Sequence, residues 1–153
     1  MNEQLGVVIV DHGSRRESSN RMLEDFAALF ADEMPGAVVE AAHMELAEPS
    51  IGTAFGRCVA RGARRVVVMP YFLLPGRHWH EDIPRLAAEA ASEHEGVEFL
   101  VGSPIGLHPL MLGVVRARLE HCLAHASGEA EACESCQGTG RCRFRPGSAS
   151  EFL

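Results

Sequence analysis

The chain has 153 residues, enough for one domain with a real core, and is 46% hydrophobic and 23% charged. Its formal net charge of −7 argues against a general nucleic-acid or anionic-membrane surface. No run approaches the ~18 apolar residues of a membrane helix, and the start, MNEQLGVV, has no basic stretch leading into a long apolar one, so a cytoplasmic location is expected.

The first apolar run, residues 7–10, has the length of a buried strand and breaks into a polar turn in VIVDHGSRR, residues 8–16. Ser18, Ser19 and Asn20 are candidate caps for a helix whose apolar positions include Met22, Leu23, Phe26, Leu29 and Phe30. A second strand is expected over 38–42. Pro49, Ser50 and Ile51 open a second helix that runs to about Arg61 and stops at Gly62. A third strand is expected over 65–74. A third helix has Asp82, Ile83 and Pro84 in its first turns and runs to about His94, with Gly96 as its stop. The fourth strand is 97–101, and a fourth helix runs from about His108 to Ala126. Strands alternating with helices predict an α/β fold: a small, doubly wound, four-stranded parallel sheet with right-handed crossovers, within a domain spanning 1–126. Residues 127–153 lack periodic apolar spacing and form a cysteine-rich extension.

In open parallel sheets ligands bind beyond the carboxyl ends of the strands. After the first strand come Asp11, His12, Gly13, Ser14, Arg15 and Arg16; after the second, His43, Met44 and Glu45; after the third, Arg77, His78, Trp79 and His80; after the fourth, His108. Five of the eight histidines therefore fall at one edge. A single loop histidine is usually a solvated turn residue, but five at one edge favour a site. Neutral imidazole binds divalent first-row metals and accepts protons near neutral pH. Glu45 supplies a carboxylate, and Arg15, Arg16 and Arg77 can pair with substrate carboxylates. Ser14 and His43 are further candidates for touching substrate. Of His78 and His80, two residues apart at a helix start, one faces the site, and His78 is preferred. Asp11 reads as a residue that orients the turn or the imidazole, and Trp79 and Cys58 as packing residues. His121 and His125, an i, i+4 pair, read as a solvated face. No phosphate-binding loop pattern occurs.

VIVDHGSRR after the first strand, HMELAEPSI after the second and PYFLLPGRHWHEDIP after the third resemble, in order and spacing, the short sirohydrochlorin chelatases. These are the single-domain branch of the ATP-independent class II tetrapyrrole chelatases, and the resemblance covers residue 6 to about 125. It implies a chelatase-like half domain in which His12 and His78 bind the incoming metal and help deprotonate the macrocycle, with Glu45 lining the cleft. It also implies insertion of Fe²⁺, or Co²⁺ in some members, into sirohydrochlorin, and a homodimer whose two domains frame the cleft. Two alternatives remain. A non-catalytic metal carrier would bind metal in the same way. A histidine phosphatase also places a histidine after its first strand, although Asp11 beside His12 would repel phosphate.

The five cysteines are Cys58, Cys122, Cys133, Cys136 and Cys142, and the last three fall within ten residues. That clustering points to metal or redox chemistry rather than a disulfide framework. CESCQGTG has the CxxCxGxG spacing of the zinc-binding repeats in DnaJ-type chaperones, but those occur several times and this one once. Plant-type sirohydrochlorin chelatases carry a similar extension that holds a [2Fe–2S] cluster. Such a cluster normally takes four thiolates, and Cys122 is the nearest candidate for the fourth. Zinc, or a redox dithiol without metal, remains open as the alternative.

Overall fold

A computed structural model describes residues 4–147. The chain forms two compact units, one up to Gly106 and one from Leu107 onward. The first unit contains β1 (Gln4–Asp11), α1 (Glu17–Glu33), β2 (Val38–His43), α2 (Ile51–Ala60), β3 (Ala63–Pro70), a π-helical turn (His78–Asp82), α3 (Ile83–Ser92) and β4 (Glu98–Val101). The strands form one sheet in the order β2-β1-β3-β4, every neighbouring pair parallel. The doubly wound four-stranded sheet expected from the alternation of runs is the architecture observed.

β1, an interior strand, is buried on both faces because it is apolar at every position from Val7 to Val10, whereas the edge strand β4 is largely exposed. Val8 and Val10, with Val66 and Val68 of β3, pack against Ile51, Ala54, Phe55 and Cys58 of α2 and Ile83 and Ala87 of α3. Val7 and Ile9 face the other way, onto Leu23 and Ala27 of α1. The close approach of α2 to the sheet depends on Gly6, where a Cβ would lie 2.9 Å from that of Cys58.

Register brings the strand ends level. Asp11 lies opposite His43, and Val10 lies between Ala42 and Pro70. The carboxyl ends of β1, β2 and β3 therefore open onto one edge.

Several boundaries differ from the sequence reading by a few residues, and two of the differences matter for the site. β3 ends at Pro70 rather than at residue 74. Beyond it Tyr71 N–H donates to the Val10 carbonyl at 2.6 Å and the chain leaves the ladder as a loop. α1 begins at Glu17, one residue before the proposed caps, and Arg16 at its N-cap offers no side-chain bond. Asn20 is used elsewhere, as described below. α2 starts on a true cap: Ser50 Oγ accepts from Thr53 N–H at 3.1 Å.

The second unit contains α4 (Pro109–Ala126) and the cysteine-rich segment. His108 caps α4, its Nδ1 accepting from Leu110 N–H at 3.2 Å. Among the described residues no helix is long and apolar enough to cross a membrane.

Candidate metal centre at the strand edge

The turn after β1 is built from its polar residues upward. Asp11 Oδ1 accepts from Gly13 N–H at 2.9 Å, an Asx-type closure that reverses the chain. Gly13 adopts φ +86, and a Cβ there would collide with the Glu45 carbonyl oxygen. Only glycine fits both demands. Asn20 braces the far side of the turn: its amide donates to the Ser14 carbonyl at 2.7 Å and accepts from Ser14 N–H at 2.9 Å.

The segment after β2 is tied to this turn through the main chain. Met44 N–H donates to the Asp11 carbonyl at 2.9 Å, and Glu45 N–H donates to the His12 carbonyl at 3.2 Å. His12 and Glu45, both exposed, therefore ride on one hydrogen-bonded backbone. Leu46 follows at φ +71, a conformation uncommon outside glycine, in the bend that carries Glu45.

The third contribution comes from the loop and π-helical turn after β3. Phe72 stacks on the His12 ring with centroids 4.7 Å apart and planes at 24°. His78 meets the same ring edge-on, with centroids 4.8 Å apart and planes at 69°. His78 Nδ1 lies 2.8 Å from Asp82 Oδ2. Thus the two histidines that the sequence singled out, 66 positions apart in the numbering, are neighbours in space. Among the described residues no three His, Cys, Asp or Glu side chains are grouped to hold a metal. The edge is a pair of imidazoles, one exposed and one half-buried, and not a closed cage.

The other expected site residues divide. Arg15 and Arg16 are exposed beside the turn. Arg15 and Ser14 line a cavity of about 320 Å³ with Asn20, Arg21, Leu46 and Glu48. Arg77 is exposed, its Nε 3.3 Å from Glu81 Oε2. His43 is placed differently from the expectation that it touches substrate. It is fully buried, with Nδ1 2.7 Å from Asp11 Oδ1 and Nε2 without a partner among the described residues. Register explains this: His43 lies opposite Asp11 and at the end of a strand whose neighbouring positions are core. Its contact with the turn is through Asp11. His80 is exposed, while Trp79 is half-buried and donates from Nε1 to the Gly102 carbonyl at 2.9 Å, as a packing residue would. Phe72 was not singled out in the sequence, Asn20 was read only as a candidate helix cap, and Asp82 only as part of the start of a helix. The only signal for Asp82 was its i+4 spacing from His78.

In the second unit the four cysteines outside the core converge. Cys142 Sγ lies 2.9 Å and Cys133 Sγ 3.4 Å from Cys136 Sγ, and the Cys122 thiol of α4 bonds to those of Cys142 and Cys136. Hydrogen bonds to Cys142 and Cys133 push the Cys136 thiol up to about 12, while the bond from Cys136 pulls Cys133 below the ordinary thiol value. Desolvation, then the bond to Cys142, raises Cys122. Arg118 and Glu134 pair at 2.8 Å and tie α4 to the cysteine segment.

The first unit is thus a parallel α/β sheet with two imidazoles paired at its carboxyl edge. The chain belongs to the CbiX family, whose model matches residues 6–122. It is 55% identical over 139 residues to the chloroplastic sirohydrochlorin ferrochelatase of Arabidopsis thaliana, covering 91% of this chain and 62% of that protein. It is 32% identical over 114 residues to the sirohydrochlorin ferrochelatase of Bacillus subtilis, covering 74% of this chain and 44% of that one. Among solved structures it resembles the sirohydrochlorin chelatase SirB from Bacillus subtilis subspecies spizizenii in complex with cobalt. That likeness has a TM-score of 0.72 at 32% identity, over 76% of this chain and 50% of that one. A CbiX protein from Marinobacter aquaeolei VT8 aligns with a TM-score of 0.67 at 30% identity, over 79% and 98%. The chain thus spans less than two thirds of the length of the two curated relatives.

Proposed function

We propose that this protein is an ATP-independent chelatase that inserts Fe²⁺, or Co²⁺, into sirohydrochlorin, giving siroheme or cobalt-sirohydrochlorin. The observation that carries the reading is the His12–His78 pair, 4.8 Å apart at the strand edge. The names of the Arabidopsis and Bacillus relatives support the substrate, and the cobalt complex of the SirB relative supports the metal.

The chemistry follows from the arrangement. The metal ion is a substrate and must leave with the product, so tight four-ligand binding would defeat turnover. Two imidazoles hold it and leave its other positions for the macrocycle nitrogens. Insertion releases two pyrrole protons; as the metal passes to the macrocycle, the ring nitrogens of His12 and His78 that it leaves become free to accept them, with the carboxylate of Glu45 as a further base. Arg15, Arg16 and Arg77 hold the carboxylates on the rim of the macrocycle, and Ser14 extends that contact along the cavity beside Arg15. His43 serves through Asp11 rather than by touching substrate.

We assign the chelatase domain to 1–126 and the extension to 127–153. We infer a homodimer in which a second copy brings another wall to this edge. The thiols of Cys122, Cys133, Cys136 and Cys142 lie near one another but are not arranged as a metal site in this structure; we infer that they would rearrange to hold a [2Fe–2S] cluster, with zinc as the alternative. A cluster there would tune or regulate rather than insert metal. The cytoplasm was the compartment expected from the sequence; the Arabidopsis relative, being chloroplastic, makes a plastid equally consistent with the chemistry.

Family membership sets aside the phosphoryl-transfer alternative, and turnover separates a chelatase from a carrier. Sirohydrochlorin is mixed with the protein and Fe²⁺ or Co²⁺, and the change in its visible absorption is followed. A rate above the spontaneous one is expected with at least one metal. A rate equal to background with both sinks the proposal.

A further inference from the structure

We propose that Asp82 is a positioning residue for His78. It fixes the tautomer and plane of the imidazole so that Nε2 is the atom offered to an incoming metal ion. The inference rests on reading His78 as a metal ligand. It adds a residue and a device that the paired histidines alone do not contain.

The geometry begins with the backbone. The segment His78–Asp82 is a π-helical turn, closed by Ile83 N–H donating to the His78 carbonyl. Such single turns inside or beside α-helices are frequent at functional sites. Residues 78 and 82, four apart, lie on one side of this turn, and Asp82 Oδ2 comes within 2.8 Å of His78 Nδ1. An ionised carboxylate only accepts hydrogen bonds, so Nδ1 must donate. The lone pair is then on Nε2.

Asp82 is itself held. Ile83, the next residue, is fully buried in the core, which fixes the backbone at this point. Arg85 Nη2 lies 4.0 Å from Asp82 Oδ1, and Arg85 is anchored in turn to Glu89 at 3.0 Å. The Asp82 side chain is only 27% exposed, against 44% for His78. The carboxylate is therefore more shielded than the ring it orients. His12 is held by other means, its stacking on Phe72. One imidazole is locked by a charge-assisted hydrogen bond and the other by ring contact. A carboxylate behind a metal-binding histidine also raises the basicity of the ligating nitrogen, and its removal costs about 10- to 100-fold in metal affinity.

The test uses the full chain with Co²⁺ alone as the probe, and a readout that needs no metal. Co²⁺ is titrated into the wild type, Asp82→Asn and Asp82→Ala. The tautomer of His78 is read by ¹⁵N NMR of the metal-free proteins at a pH above the imidazole range. The wild type should show His78 protonated on Nδ1. Asp82→Ala should shift it toward the Nε2–H form and weaken Co²⁺ binding by about 10- to 100-fold. Asp82→Asn, nearly isosteric, keeps a carbonyl acceptor and should lie between the two, which covers the case in which the alanine variant does not fold. An unchanged tautomer with Co²⁺ affinity within about twofold of wild type overturns the role of Asp82. If the wild type fails to take up Co²⁺, the metal-site reading fails instead, and the metal-free tautomer still decides whether Asp82 orients the ring.

Discussion

Gly13 stands at φ +86 with the Glu45 carbonyl where its side chain would be. Gly13→Ala therefore meets both a backbone penalty and a collision, and should lower stability by about 1–3 kcal/mol, measured by urea unfolding. It should also disturb insertion, because the same turn carries His12. Stability equal to wild type would mean that the turn is not held as described. Cys58 offers a second test at this scale. Burial first, and the Glu40 charge next, push its thiol from 9.0 up to about 12. Above the unfolded value near 9 the unfolded chain loses this proton while the fold keeps it. Its contribution is thus complete below about pH 9 and is lost as pH rises toward about 12. Unfolding midpoints should fall over that window, and Cys58→Ala should remove its share of the slope; an identical slope in the variant would contradict the burial argument.

At the scale of elements, α2 begins on a hydrogen-bonded cap, Ser50 Oγ accepting from Thr53 N–H at 3.1 Å. Ser50→Ala should cost about 1 kcal/mol by thermal or denaturant unfolding, and no loss would show that the helix start is held by other bonds. The start of this helix was legible in the sequence, where Pro49, Ser50 and Ile51 open it. The sheet was legible for a similar reason: four valine-rich runs of strand length alternate with helical spacing. The π-helical turn was not. Its five residues, HWHED, read as the approach to a helix, and nothing in their identities announces a wider turn with Asp82 and His78 on one side of it. Phe72 was hidden because it continues the apolar run of β3, and only the break after Pro70 frees it to stack on His12. His43 was placed at the correct edge but on the wrong side of it. Strand register, which pairs it with Asp11, turns it into the core, and register is a property of two strands that neither strand's sequence states.

For the whole molecule, two chemical centres have different requirements. The four thiols of the second unit should give the visible bands of a [2Fe–2S] centre in anaerobically purified protein, and Cys136→Ser should abolish them. Stoichiometric zinc without those bands would replace the cluster with the zinc alternative. On the proposed reading the strand edge, by contrast, holds its metal only in passing, through His12 and His78 together. The most direct measurement is the initial rate of metal insertion into sirohydrochlorin by the wild type, His12→Ala and His78→Ala, with Fe²⁺ and Co²⁺ side by side. Each variant should fall by about 10²-fold or more, toward the spontaneous rate; either variant turning over at the wild-type rate would contradict the paired-histidine account.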